Sequence, residues 1–406
     1  MKNILIAIIG LFVISCKEYK TSKIDSEEQK EKIQDSLTLE LNKIYEKDYI
    51  NGFSVAIVDK SGILYNKGFG YADIKTMKPY TKQTIQNIAS ISKVVVGLAL
   101  LKAQEMEVLT LDDPINQHLP FEVSNPNYPE VPITIRQLIS HTSSIMDTDF
   151  YWSKCYVLID SLSTTEKATM SVPDYFNPKE DWLPLETFLE KMLSKNGEWY
   201  HKEIFADRKP NETNQYSNMG AALCALIIQS ASKTPFNEFT KQHIFEPLGM
   251  KSTGWFFNEV NRDDFTKLYN EKTEIPHYIG LTYPDGHMIS STNDLGILLS
   301  ELIKGFDGVG ELLNTNSYNE FYKSQLTKEQ LEEGDDDNLG VFIEKLVSNN
   351  VYGHTGEDPG VFTVMFFDPT KKIGRVLIKN TESEQEEAHT EYWNIWNKME
   401  KFQDKL

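Results

Sequence analysis

Apolar residues at Ile33, Leu37, Leu41 and Ile44 recur at helical spacing and predict an amphipathic helix over Glu27–Lys47. The period then changes. Phe53–Val58 reads as a strand, Asp59-Lys60-Ser61-Gly62 as a turn and Ile63–Phe69 as a return strand. Ile88–Gln104 is apolar almost all round, with Val94-Val95-Val96 and Leu98 to Leu101, and predicts a buried helix. Leu111-Asp112-Asp113-Pro114 ends the following turn, and Ile133–Ile139 opens another helical stretch. From 144 to 215 no clear period emerges, and Trp152, Trp182 and Trp199 are scattered among charges and prolines. Ala221–Ser230 is a second apolar helix, Thr234–Ile244 a third closed by Pro247-Leu248-Gly249, and Asp294–Ile303 another. Strands return at Gly340–Val347, Gly360–Phe367 and Arg375–Ile378, and a last helix runs from about Glu382 to Phe402.

Strands at both ends of a chain can join one sheet while the segment between them forms a separate lobe. The pattern therefore implies a mixed α+β fold: an antiparallel sheet flanked by helices, from about 31–97 and 290–406, plus an all-helical lobe over about 98–289. No internal repeat is present. The 406 residues, 40% of them hydrophobic, suffice for a large core. A net charge of -19 repels a phosphate backbone and excludes nucleic acid as the expected partner.

The first residues read as a targeting segment. Lys2 precedes the apolar run Ile4–Ile14, which is shorter than the roughly 20 residues a membrane span needs. The run stops at Ser15-Cys16 and resembles a bacterial lipoprotein signal. That resemblance implies a signal peptide at 1–15, lipidation of Cys16, a tether over 16–30, and an exported protein anchored to an envelope membrane. Cys155 and Cys224 are the remaining cysteines. They could pair, but Cys224, inside Ala221–Ile228, reads better as a small buried hydrophobe. No cysteine or histidine spacing suggests a metal site, and no cofactor is expected. Gly68-Phe69-Gly70 begins like a dinucleotide fingerprint, yet no helix follows it. The acidic run Glu332–Asp337 lacks EF-hand spacing and is expected to be a solvated turn.

Three separated patches carry chemistry. In Ser90-Ile91-Ser92-Lys93 the hydroxyl and the amine lie three positions apart, on one helical face. Ser90 falls at the start of the apolar helix, where unpaired N–H groups and the helix dipole favour an oxyanion. Burial of Lys93 would favour a neutral amine. Taken alone, the patch reads more readily as an N-cap serine beside a surface lysine. Tyr216-Ser217-Asn218 adds a phenol and an amide, and His354-Thr355-Gly356 adds an imidazole and small residues. A serine nucleophile needs such a base and such a pocket.

These patches, with Phe69-Gly70-Tyr71-Ala72-Asp73, Leu109 to Pro114, Ile133 to Ser143, Ile244 to Met250 and Ile289 to Leu295, resemble the serine β-lactamase and penicillin-binding-protein superfamily, in its class C β-lactamase, esterase and D-aminopeptidase branch. The resemblance covers about residues 45 to 380 and makes 31–406 one β-lactamase-like hydrolase domain. It implies that Ser90 is acylated, that Lys93 and Tyr216 share the proton, and that Asn218 orients Lys93 and the substrate amide. It implies an oxyanion hole from the N–H groups of Ser90 and Glu357, beside His354, Thr355 and Gly356. The expected substrate is a D-amino-acid peptide or small ester; the alternative is a penicillin-binding sensor or non-catalytic binding module on the same fold.

Three departures qualify it. Histidine at 354 replaces the lysine of many β-lactamases, which lessens the expectation of β-lactam hydrolysis. Because histidine titrates near pH ~6.5, a rate change between about pH 5.5 and 7.5 is expected. Ser144 stands where the family usually has glycine, so the turn there is expected to differ. The interval between Ser90 and Tyr216 is longer by some tens of positions, assigned to an insertion at about 147–213 that either lines the cleft through its tryptophans or packs as decoration. His141 and the acids Asp112, Asp113 and Asp294 read as structural residues of turns and caps.

Overall fold

The computed structural model describes residues 27–331, 337–347 and 349–406. The signal, Cys16 and most of the tether lie outside the described residues, as does most of the acidic run Glu332–Asp337.

Helix α1 spans 27–45 and packs by Leu37, Leu41 and Ile44, the stripe its spacing predicts. Strands β1 (Gly52–Asp59), β2 (Gly62–Asp73) and β3 (Lys78–Pro79) follow. Helix α2 (Ser92–Glu105) leads into the middle of the chain, which holds α3 (Asn218–Ser232). Helix α4 (Thr292–Phe306) returns to the sheet. Strands β4 (Asn338–Leu339), β5 (Glu344–Leu346), β6 (Val351–Asp358), β7 (Val361–Asp368) and β8 (Ile373–Lys379) precede the last helix, α5 (Glu386–Gln403). The sheet runs β4-β5-β6-β7-β8-β1-β2-β3, and its pairings are antiparallel throughout. First and last strands thus meet at its centre, where Val55 faces Leu377 and Ala56 faces Val376.

Alternation along β1 divides the core. Val55 and Ile57 point to α1 and α5, against Leu41, Ile395 and Met399. Ala56 and Val58 point to the opposite face, with Leu295, Leu298 and Leu299 of α4. Both sheet faces are therefore covered by helices, and the second face merges with the packing of α2 and α3. Gly97 in mid-α2 has a packing reason: a Cβ there would stand 2.3 Å from the Val341 carbonyl oxygen.

Several expectations change. The 144–215 segment is not irregular: it holds helices Asp149–Cys155, Thr164–Thr169 and Leu185–Leu193 and the short strand Tyr156–Leu158, paired with Tyr278–Gly280. Leu185, Phe188, Leu189 and Met192 are buried at helical spacing, a period masked by the charges and prolines around it. The helix expected at 234–244 closes within Pro247-Leu248-Gly249, at the glycine. A π turn at Lys241–Phe245 carries the helix through to Leu248, and Gly249 at φ 72 terminates it. Of the strand expected at Gly340–Val347, only Glu344–Leu346 forms, as β5; residues 340–343 are the tight turn from β4, with Phe342 at φ 55. Among the described residues, Cys155 and Cys224 are buried and form no disulfide.

Candidate active site

The nucleophile segment forms a single 3-10 turn, Ala89–Ile91, ahead of α2, with Ala89 held at φ 49. Ser90 does not cap the helix. Its Oγ accepts instead from Lys93 Nζ at 3.0 Å and from Tyr216 Oη at 2.8 Å. Lys93 lies in the first turn of α2 and is fully buried. Its ammonium also donates to Asn218 Oδ1 at 2.7 Å and to the Asp285 carbonyl at 2.6 Å, so its three donors are all used. It stands 4.9 Å from the Tyr216 ring centroid. Ser92, one position on, is structural: its Oγ donates to the Ala89 carbonyl and accepts from Met288 N.

Tyr216 and Asn218 flank Ser217, the N-cap of α3. Although the Tyr216 ring is 43% exposed, desolvation at its hydroxyl end pushes the phenol above its ordinary value, and the Lys93 charge pulls it only partway back. The start of α3 is secured by Asp147, whose carboxylate accepts from Asn218 N at 2.6 Å, Met219 N at 3.2 Å and Ser217 Oγ at 3.3 Å. His141 accepts from Ser217 N at 3.2 Å and lies 4.6 Å, ring to ring, from Tyr216. Burial drives its imidazole down to about 3, so it is neutral. Ser144 adopts a left-handed conformation at φ 69, with its Oγ held by Asn125 Nδ2 at 2.9 Å.

The third patch lies on β6. A Cβ on Gly356 would stand 2.5 Å from the Ile88 carbonyl oxygen and 3.1 Å from Ser90 N, so only glycine lets this strand pass so close to the nucleophile turn. Glu357 and Ser90 line a common cavity. His354 is 4% exposed, with its Nδ1 against the Thr355 carbonyl. Burial pushes it below its ordinary value against the opposing pull of Glu344, which moves the expected titration toward more acid pH. A neutral His354 is not a substitute for a permanent cation. It lines a cleft of about 690 Å³ with Tyr216, His141 and Arg208, near Asp337 and Glu344.

All three patches therefore meet at Ser90. The residues that sequence reasoning missed come from two places. Asp285 lies in the 3-10 turn Tyr283–Asp285, marked in the chain only by the turn signal Pro284-Asp285-Gly286. Asp147, Tyr151, Tyr156 and Arg208 belong to the 147–213 segment, which builds walls of the site. Trp152 reaches the cleft, whereas Trp182 lines a separate surface hollow and Trp199 packs edge-on to Phe188 at 5.8 Å. Asp113 receives Thr110 N and Asp294 receives Ser252 N, both as turn and cap acceptors. Among the described residues no cluster suits a metal ion.

The family model described as Beta-lactamase matches residues 40–399. Protein flp of Staphylococcus aureus (strain MW2) is 29% identical over 257 residues, covering 62% of this chain and 45% of that protein. The chain thus spans about half the length of that relative. Penicillin-binding protein 4* of Bacillus subtilis (strain 168) is 24% identical over 375 residues, covering 84% and 71%. Among solved structures, a D-amino acid amidase from Ochrobactrum anthropi SV3 superimposes with a TM-score of 0.64 at 19% identity, over 91% of this chain and 99% of that one.

Proposed function

The chain belongs to the Beta-lactamase family, and from that premise we propose that it is a serine hydrolase that cleaves an amide or ester through an acyl-enzyme on Ser90. The observation that carries the reading is the convergence on one oxygen: Lys93 Nζ and Tyr216 Oη both contact Ser90 Oγ. Attack on a carbonyl requires the Lys93–Tyr216 pair to have first given up one proton; the pair then takes the serine proton and returns it to the departing amine or alcohol. Asn218 fixes Lys93 and faces the substrate amide. The N–H groups of Ser90 and Glu357 receive the oxyanion, with Gly356 letting the strand approach. Water then releases the acyl group.

The proposed substrates are D-amino-acid peptides or small esters of the cell envelope. The closeness in fold to an amidase supports the first of these. Turnover of β-lactams is the lesser activity in this reading, because neutral His354 supplies no fixed charge for a ring carboxylate. Arg208 lines the same cleft, with its guanidinium held by the Gln215 amide oxygen. Lipidation at Cys16 holds the domain at the envelope membrane; metabolic labelling with an alkyne palmitate, lost in Cys16→Ser, tests it.

The direct test is to treat the soluble domain with a fluorophosphonate or a labelled penicillin and map the adduct by mass spectrometry. Prompt labelling at Ser90, with turnover of an ester, is expected. A stable penicillin adduct without turnover would instead make the protein a sensor, and folded protein that never labels would leave only a scaffold.

A further inference from the structure

Ser90 has a second set of neighbours on the side away from His354. A cavity of about 50 Å³ lies there, between Ser90, Asn218, Asp285, His287 and Asp358. An adjoining groove of about 450 Å³ shares the walls Trp152, Tyr156, Glu357 and Asp358 and adds Tyr175 and Glu382. Its rings form an open cage. Trp152 stacks on Tyr156 at 6.2 Å, Tyr175 tilts against Tyr156 at 5.6 Å, and Trp152 and Tyr175 remain partly exposed.

The polar groups of this wall are acceptors short of a cation. Asp358 receives Tyr156 Oη on one oxygen at 2.6 Å, and His287 Nε2 stands 3.9 Å from the other, beyond hydrogen-bonding reach. His287 is 5% exposed, lines the inner cavity and has no hydrogen-bond partner at either ring nitrogen. Buried polar groups are rarely left so. Burial keeps His287 neutral, at about 3, and pushes Asp285 and Asp358 each up to about 7. The ammonium groups that act on these carboxyls are engaged elsewhere. Lys93 is held by Ser90, Asn218 and the Asp285 carbonyl, and Lys379, beside Glu382, donates to the Thr381 carbonyl and lies 3.4 Å from the Tyr392 ring centroid.

Aromatic faces combined with partly desolvated carboxylates recognise organic cations. The position within the cleft identifies which half of the substrate enters. A leaving group must escape, and the 690 Å³ cleft beyond Tyr216, with Arg208, gives it room. The part that stays on Ser90 lies toward the smaller cavity behind the serine. We propose that the Trp152–Tyr156–Tyr175 groove, with Glu357, Asp358 and Glu382, is a subsite for an alkylammonium group carried on the acyl half of the substrate. This deepens the acyl-enzyme reading and rests on it for the placement of the acyl half.

Two measurements test it. Ser90→Ala protein is titrated with choline and with its neutral carbon isostere 3,3-dimethylbutan-1-ol, read by ligand line broadening in NMR. Choline should bind about tenfold more tightly, less so at high salt, and Asp358→Asn, Trp152→Leu or the exposed Glu357→Gln should each shrink the gap. Equal binding of the two probes would overturn the subsite. In the intact enzyme, the p-nitrophenyl ester of 4-(trimethylammonio)butanoate should exceed that of 5,5-dimethylhexanoate in kcat/KM by about tenfold. Equal rates, or a preference for a cation on the leaving alcohol instead, would overturn the placement. Fluorophosphonate labelling of Ser90 without a cation preference removes the subsite and leaves the hydrolase. Choline binding without labelling leaves a cation site but removes the hydrolase and, with it, the placement of the acyl half.

Discussion

Tyr216 Oη stands 2.8 Å from Ser90 Oγ, although the tyrosine precedes α3 and the serine precedes α2. The two helices pack against each other, and that packing aligns their N-terminal ends. Tyr216→Phe removes the hydroxyl but keeps the ring against His141 and Lys93. Ser90 acylation is expected to slow by about 10²–10⁴-fold, the usual worth of a positioned proton-transfer group. Thermal stability should stay within a few degrees. Stopped-flow labelling beside calorimetry checks both; a loss under threefold would remove the phenol from the proton path.

Lys93→Ala leaves the Asn218 amide oxygen and the Asp285 carbonyl without their donor. Turnover should vanish. Stability should fall by about 1–3 kcal/mol, the cost of leaving buried acceptors unpaired, while far-ultraviolet circular dichroism is retained. Denaturant unfolding and an ester assay separate the two effects. Near-native rates would contradict the role given to the amine.

Asp147 touches no substrate position and acts through the start of α3, where it holds Asn218 and Met219 by their backbone N–H groups. Asp147→Ala should cost about 1–2 kcal/mol as a lost helix cap. It should also lower kcat more than it raises KM, because Asn218 and Tyr216 lose their fixed origin. An unchanged kcat in a destabilised variant would mark the aspartate as a cap and nothing more.

The pH dependence follows from burial. His141 is held down at about 3 and His354 is lowered from its ordinary value, so any inflection that either places in the rate profile should fall on the acid side of pH 6.5. Asp358 is raised from about 3.9 in an unfolded chain to about 7 in the fold. The native state therefore holds an extra proton between these values. This contribution to stability is full below about pH 4 and is lost as pH rises through about 7. The unfolding free energy of the wild type minus that of Asp358→Asn should fall steadily from pH 4 to 8. A difference that stays flat across that range would show that the carboxyl is not raised.

Much of the fold was legible because its elements have one dominant period. The α1 stripe Leu37, Leu41, Ile44 and the alternation of β1 encode their partners directly. The 144–215 segment was not, because its helices are short and only Leu185–Leu193 carries a full apolar face. At the site, Ser90, Lys93, Tyr216 and Asn218 could be picked out by residue type and order. Asp285 could not, since its contribution to Lys93 is a backbone carbonyl, which residue identity does not encode.

The linear chain by itself determined which chemical groups were available, and in what order, because residue types and short-range spacing are written locally. Tertiary packing decided which of them touch and what charge they bear. Asp147, Asp285 and Asp358 come from separate segments, yet each faces the Lys93 charge, and burial sets whether the last two and His354 are ionised. Those properties depend on solvent exclusion and on neighbours distant in sequence, so they exist only once the lobes have closed around Ser90.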